Sequence, residues 1–235
     1  RLFARFSAPD WLAIRRLILL GVPIGLSTFA EYSVFSAKTL LIGRLGVDTV
    51  AAHQIASNVG GLTFMIPLAI GMAASIRVGH NVGAGDFAGA RRSGWVAMGT
   101  SFGFAILAAL VLVLSGEFIA DLYTNDPAVI AVATELLILV AIYQPFDDVQ
   151  GTAIGALRGF KDTRTPFFVA VCAYWLVGFP LSWAFGFGYF ESIDYGVYGY
   201  WMGLIGGLAV ASFVLVGRFA YLTKRPDLVM LMARR

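Results

Sequence analysis

Two adjacent carboxylates stand in the middle of an apolar run. The segment Tyr143-Gln144-Pro145-Phe146-Asp147-Asp148-Val149-Gln150 lies inside a stretch from Val129 to Leu157 that is long enough to cross a membrane. A carboxylate at that depth costs about 2.5–3.5 kcal/mol on insertion scales, and residues of this kind mark ion or substrate pathways. Side chains four apart share a helix face, so Tyr143 and Asp147 point the same way, with Gln150 one turn further on. Asp148 sits about 100° round the helix, and its residue type fits a site or a structural role equally well. Pro145 has no N–H, which deprives the carbonyl of Ala141 of its helical donor and leaves it available for coordination. A carboxylate, a phenol and a spare carbonyl within two turns suit a hard cation or a proton, not a transition metal.

The first apolar run carries another acid. Glu31 is 15 residues from Arg16 and 13 from Arg44. At about 1.5 Å per residue that is roughly 20 Å from either end, near the midplane. If the helices bearing Glu31 and Asp147 meet, the two form a paired-carboxylate site. Two carboxyls in one desolvated pocket cannot both be charged, so the pair holds a proton at neutral pH and releases it when a cation or water enters. That exchange is the physical core of ion-coupled antiport, and one charge crossing 100 mV supplies about 2.3 kcal/mol. Lys38 is about 10 Å from Glu31 along the axis, so a direct bridge needs both side chains extended. It is expected to snorkel outward or to meet a carboxylate on another helix. Phe35, one turn above Glu31, would line a cavity for an aromatic cation or pack in the core. His53 and His80 stand at span ends, where capping or interfacial roles are expected.

The elements that must position these groups follow from composition. Hydrophobic residues make up 59% of the chain and charged ones 13%, against about 45–50% and about 25% for a soluble domain. Runs unbroken beyond about 18 residues, without strand-like alternation, define an all-α integral membrane protein. Six spans are expected, at about 17–42, 50–76, 93–115, 129–157, 166–187 and 197–217, forming one transmembrane lobe over residues 1–235. Short connections make them a bundle of antiparallel neighbours. Lys and Arg gather in alternate loops: Arg1, Arg5, Arg15 and Arg16; Arg77, Arg91 and Arg92; Arg158, Lys161 and Arg164; Arg218, Lys224, Arg225, Arg234 and Arg235. The other loops hold only Arg44, with Asp48, Glu117, Asp121, Asp126, Glu191 and Asp194. Both termini are therefore expected on the cytoplasmic side.

Smaller signals complete the outline. A single cysteine, Cys172, excludes an internal disulfide and a thiolate metal cluster. No cleavable signal peptide is visible, and a chain beginning with Arg1 is expected to be a processed or excised piece. Gly83-Ala84-Gly85 follows a membrane span rather than a strand, which makes it a cytoplasmic elbow and not a dinucleotide loop. Gly199, Gly203 and Gly207 stack on one face as a helix–helix contact, and Gly21 with Gly25 suggests a second. Gly99 and Gly103 mark a lipid-facing or packing span. No organic cofactor and no nucleic-acid partner is expected.

Taken in order, the motifs resemble the multidrug and toxic compound extrusion (MATE) transporters, in particular their NorM-like branch. The resemblance rests on Gly21-Val22-Pro23 with Glu31, on Ala51-Ala52-His53-Gln54-Ile55-Ala56, and on Arg77-Val78-Gly79 through Gly85-Asp86. It continues in Tyr143-Gln144 before Asp147, Leu157-Arg158-Gly159-Phe160-Lys161-Asp162-Thr163-Arg164, and Tyr174-Trp175 with Gly178-Phe179-Pro180. It implies a two-lobe, twelve-helix transporter of which this chain is the carboxy-terminal six-helix lobe. It further implies that Glu31, Tyr143 and Asp147 fall on cation-binding positions, where Na⁺ or H⁺ exchanges for exported organic cations, often aromatic. Asp148, Lys38, Gln150 and Ala141 are secondary candidates. A bacterial inner membrane, a role in antibiotic resistance, and an amino-terminal lobe or second copy as partner follow from the same likeness. Lys38 departs from it and would bias the site towards protons.

Other classes fit less well. A lipid-linked glycan flippase needs a basic cavity, whereas Lys38 is the only Lys or Arg deep within a span. An intramembrane enzyme needs a nucleophile and a His base on facing helices, and both histidines lie at span ends. A non-transporting partner subunit is supported only by the missing half.

Overall fold

The computed structural model describes residues 10–187 and 195–233. Among these the chain is helical and contains no strand. Of the charges used to orient it, Arg1, Arg5, Glu191, Asp194, Arg234 and Arg235 lie outside the described residues. Six helices among the described residues are long and apolar enough to cross a membrane. They are α1 (Trp11–Ile42), α2 (Val47–Gly83), α3 (Phe87–Asp121), α4 (Pro127–Gly159), the rod Arg164–Gly186, and α7 (Gly196–Leu222). The rod comprises α5 (Arg164–Ala170), a π-helical stretch (Val171–Gly178) and α6 (Phe179–Gly186). A short α8 (Pro226–Ala233) closes the described chain.

α4 is the hub, packed against α2, α3 and α7, while α1 leans on α5 and the π stretch. Its start is set locally: Pro127 sits in the first turn, and the Asp126 side chain accepts from the Ala128 amide at 2.9 Å. Small residues let α2 and α4 touch backbone to backbone. A Cβ on Gly155 would fall 2.8 Å from Gly71 Cα, so neither helix can carry a larger residue at the crossing without separating. The expected face of α7 behaves the same way, since a Cβ on Gly207 would meet Ala173 O at 2.8 Å and Gly178 Cα at 2.9 Å. Gly21 and Gly25, by contrast, have nothing within 4 Å, so they form no packing face with the rest of the described chain. Gly99 and Gly103 are equally open.

The turn after α2 is an elbow. Gly85 adopts φ +75°, and Asp86 caps α3 by accepting from the Gly89 amide at 2.8 Å. The π stretch precedes Pro180, which has no N–H to close a helical turn, and the Phe179 amide bonds back to Tyr174 O instead. Widened there, the rod buries Tyr174 completely and brings Trp175 Nε1 to the Ala30 carbonyl at 3.1 Å. That bond ties the rod to α1 one residue before Glu31.

Candidate functional site

A cavity of about 200 Å³ opens between α1, α2, α4 and α7. Glu31 and Phe35 reach it from α1, Gly60 from α2, Tyr143 and Asp147 from α4, and Trp201 from α7. The two acids predicted to pair therefore border one space, close enough to interact electrostatically. Asp147 is buried at 7% exposure, and Glu31 is half-buried. Their placement follows from helix geometry. Tyr143 and Asp147 share a face through their spacing of four, and the α2–α4 glycine crossing brings Gly60 under the Tyr143 ring.

Below the carboxyls a polar chain runs through the core. The Tyr174 hydroxyl interacts electrostatically with Glu31, and Gln150 Nε2 donates to the same hydroxyl. Arg158 acts on Glu31 electrostatically from the far end of α4. Gln150 thus contributes through Tyr174 and does not line the cavity. Among the described residues no group of three or more His, Cys, Asp or Glu side chains could hold a metal ion. The oxygens on offer are two carboxylates with tyrosine and serine hydroxyls, the donor set of a hard monovalent ion or a proton.

Several candidates stand elsewhere. Asp148, fully buried, belongs to a separate network: Gln144 Nε2 donates to its Oδ1 at 3.0 Å, and Thr63 Oγ1 donates to Gln144 Oε1 at 3.1 Å. Its backbone carbonyl accepts from Ser101 at 3.0 Å and from Thr152 at 2.9 Å, which pins α3 to α4. Ala141 is buried and does not border the cavity. Lys38 neither snorkels nor meets a carboxylate. It is 3% exposed, its Nζ lies 3.7 Å from the centre of the Trp201 ring and 5.4 Å from that of Phe35, and it has no hydrogen-bond partner among the described residues. The reason is its spacing of seven from Glu31, two turns on, which carries it inward on the same face. His53 is likewise no interfacial residue. It is 1% exposed, its Nε2 is 3.0 Å from Thr39 Oγ1, and its ring meets Trp201 edge-on at 5.6 Å.

Trp201 is the residue that sequence reading missed. It touches Lys38, His53 and Tyr143 (centroids 5.8 Å apart) while bordering the cavity. Its one local signal is a bulky ring set inside a glycine stripe, between Gly199 and Gly203.

Six apolar helices with two carboxyls bordering one cavity among them define a multi-pass membrane protein with an internal polar site. The MatE family model matches residues 23–184, and the chain belongs to that family. It is 43% identical over 225 residues to the multidrug resistance protein PmpM of Pseudomonas aeruginosa, across 96% of this chain and 47% of that one. A probable multidrug resistance protein NorM of Xanthomonas campestris is 43% identical over 95% of this chain and 48% of its own length. The multidrug resistance protein MdtK of Yersinia pseudotuberculosis is 39% identical, over 94% and 48%. The chain thus spans about half the length of these relatives. Among solved structures, the eukaryotic MATE transporter AtDTX14 superposes with a TM-score of 0.84 at 22% identity, over 96% of this chain and 50% of that one. The Vibrio cholerae MATE transporter VcmN in its bent form gives 0.83 at 18% identity, over 94% and 49%. These likenesses carry the fold.

Proposed function

We propose that the chain is the carboxy-terminal lobe of a multidrug efflux antiporter, in which a Na⁺ or H⁺ bound at Glu31, Asp147 and Tyr143 drives export of organic cations. One observation carries the reading: acids from two helices border one cavity beside an aromatic wall. The relatives' names as multidrug resistance proteins support drugs as the exported substrates. A desolvated carboxyl pair retains a proton until a cation replaces it, and the membrane potential drives the exchange at about 2.3 kcal/mol per charge per 100 mV. The aromatic faces of Tyr143 and Trp201 suit a flat cationic substrate. In this reading the protein sits in a bacterial inner membrane with both chain ends cytoplasmic, and an amino-terminal lobe completes the cavity. Buried against Trp201, Lys38 does not supply the basic lining that a glycan flippase requires.

The test uses the complete transporter. Asp147→Asn and Glu31→Gln should each abolish efflux of a cationic dye while membrane levels stay unchanged. Undiminished efflux in both variants would remove the coupling claim. Cation binding to the purified protein should weaken as pH falls, because proton and cation compete for the same oxygens.

A further inference from the structure

A second pocket, of about 480 Å³, opens at the end of the bundle where α1 begins and α8 ends. Its two sides differ in chemistry. Leu19, Leu20 and Met232 make one side apolar, and Lys161, Arg164 and Arg218 make the other cationic. Among the described residues that line it the one carboxylate, Asp162, is already engaged. It is 5% exposed and accepts from Arg218 Nε at 2.9 Å, from the Thr165 amide at 3.2 Å and from the Thr165 hydroxyl at 2.8 Å. The bridge uses Arg218 through Nε, so Nη1 and Nη2 lie outside it.

Lys161 supplies an independent sign. Its backbone is left-handed at φ 59°, in the turn that ends α4, where its amide bonds back to Arg158 O at 2.9 Å and that of Asp162 to Leu157 O at 3.0 Å. Glycine is the unstrained occupant of such a position. The lysine there is exposed and carries its charge to the rim of the pocket. Depth matters as well. The apolar span of α1 begins at Leu17, and Leu19 is 53% exposed. The pocket therefore opens beside the start of the apolar span of α1.

We propose that this pocket binds the phosphate headgroup of an anionic phospholipid, with the acyl chains lying along Leu19 and Leu20. Cationic pockets between helices at the cytoplasmic face recognise such headgroups by charge. A free phosphate ion shares the charge but makes no use of the apolar side. The site is separate from the carboxylate cavity, so lipid binding and efflux can be read independently.

Native mass spectrometry of the purified chain in detergent, with phosphatidylglycerol or phosphatidylcholine added, tests the proposal. Phosphatidylglycerol should be retained over phosphatidylcholine, and excess inorganic phosphate should not displace it. Retention should fall roughly thirtyfold in the double variant Lys161→Gln/Arg164→Gln, which leaves the Asp162–Arg218 bridge intact. The charge-conserving Lys161→Arg/Arg164→Lys pair should keep the lipid, which separates lost charge from lost folding. Equal retention by the neutral double variant overturns the proposal. So does full displacement by inorganic phosphate, which would make the site one for the free ion. An equal loss in Arg91→Gln/Arg92→Gln also overturns it, by making the effect one of diffuse charge.

Discussion

The ammonium of Lys38 rests 3.7 Å above the centre of the Trp201 ring, buried and without a hydrogen bond to any described residue. Burying a charge costs several kcal/mol, and a desolvated cation–π contact returns about 2 kcal/mol of that. Lys38→Met keeps the length of the side chain and removes the charge, so it should melt at or above the wild-type temperature in detergent. Trp201→Leu should destabilise, and adding Lys38→Met should recover part of that loss. Circular dichroism melts of the three variants check this. A fall of several degrees in Lys38→Met alone would show that the ammonium has a stronger partner than the ring.

Asp147 and Asp148 are neighbours in sequence with opposite assignments. Asp148→Asn still offers an oxygen to Gln144 Nε2, so stability should change by less than about 1 kcal/mol and cation binding should persist. Asp148→Ala strands that donor and should cost about 1–3 kcal/mol. Asp147→Asn should instead eliminate cation binding with little change in melting. Equilibrium dialysis with radioactive sodium, alongside thermal melts, separates the two acids. Loss of binding in Asp148→Asn would move it into the site.

Gly60 makes room for Tyr143. A Cβ there would run into the phenol oxygen and lie 3.4 Å from the ring carbon that bears it. Gly60→Ala should therefore destabilise by about 1–3 kcal/mol and weaken cation binding by pushing the phenol aside. Tyr143→Phe removes the colliding oxygen, so the Gly60→Ala penalty should shrink by more than half when measured in the Tyr143→Phe background. An unchanged penalty would mean that the collision is relieved elsewhere.

Much of this architecture was legible in the chain because its signals are local. Hydropathy over about 20 residues locates a span whatever its neighbours do, and six helices among the described residues are long and apolar enough to cross a membrane. The spacing of four put Tyr143 and Asp147 on one face before any partner was known. Distance from flanking charges put Glu31 near the middle of its helix. Each statement needs only one helix.

What remained was the rotation of each helix about its axis and the choice of the helix it faces. Those are set by backbone contacts at small residues, Gly71 on Gly155 and Gly207 on Gly178, which no single-helix pattern encodes. Only that packing decided that Glu31 and Asp147 share a cavity, that Asp148 turns away to Gln144, and that Lys38 ends on Trp201 instead of in the headgroups. Residue types and positions along each helix were determined by the sequence alone. Which side chains face one another across helices was decided by how closely the backbones approach.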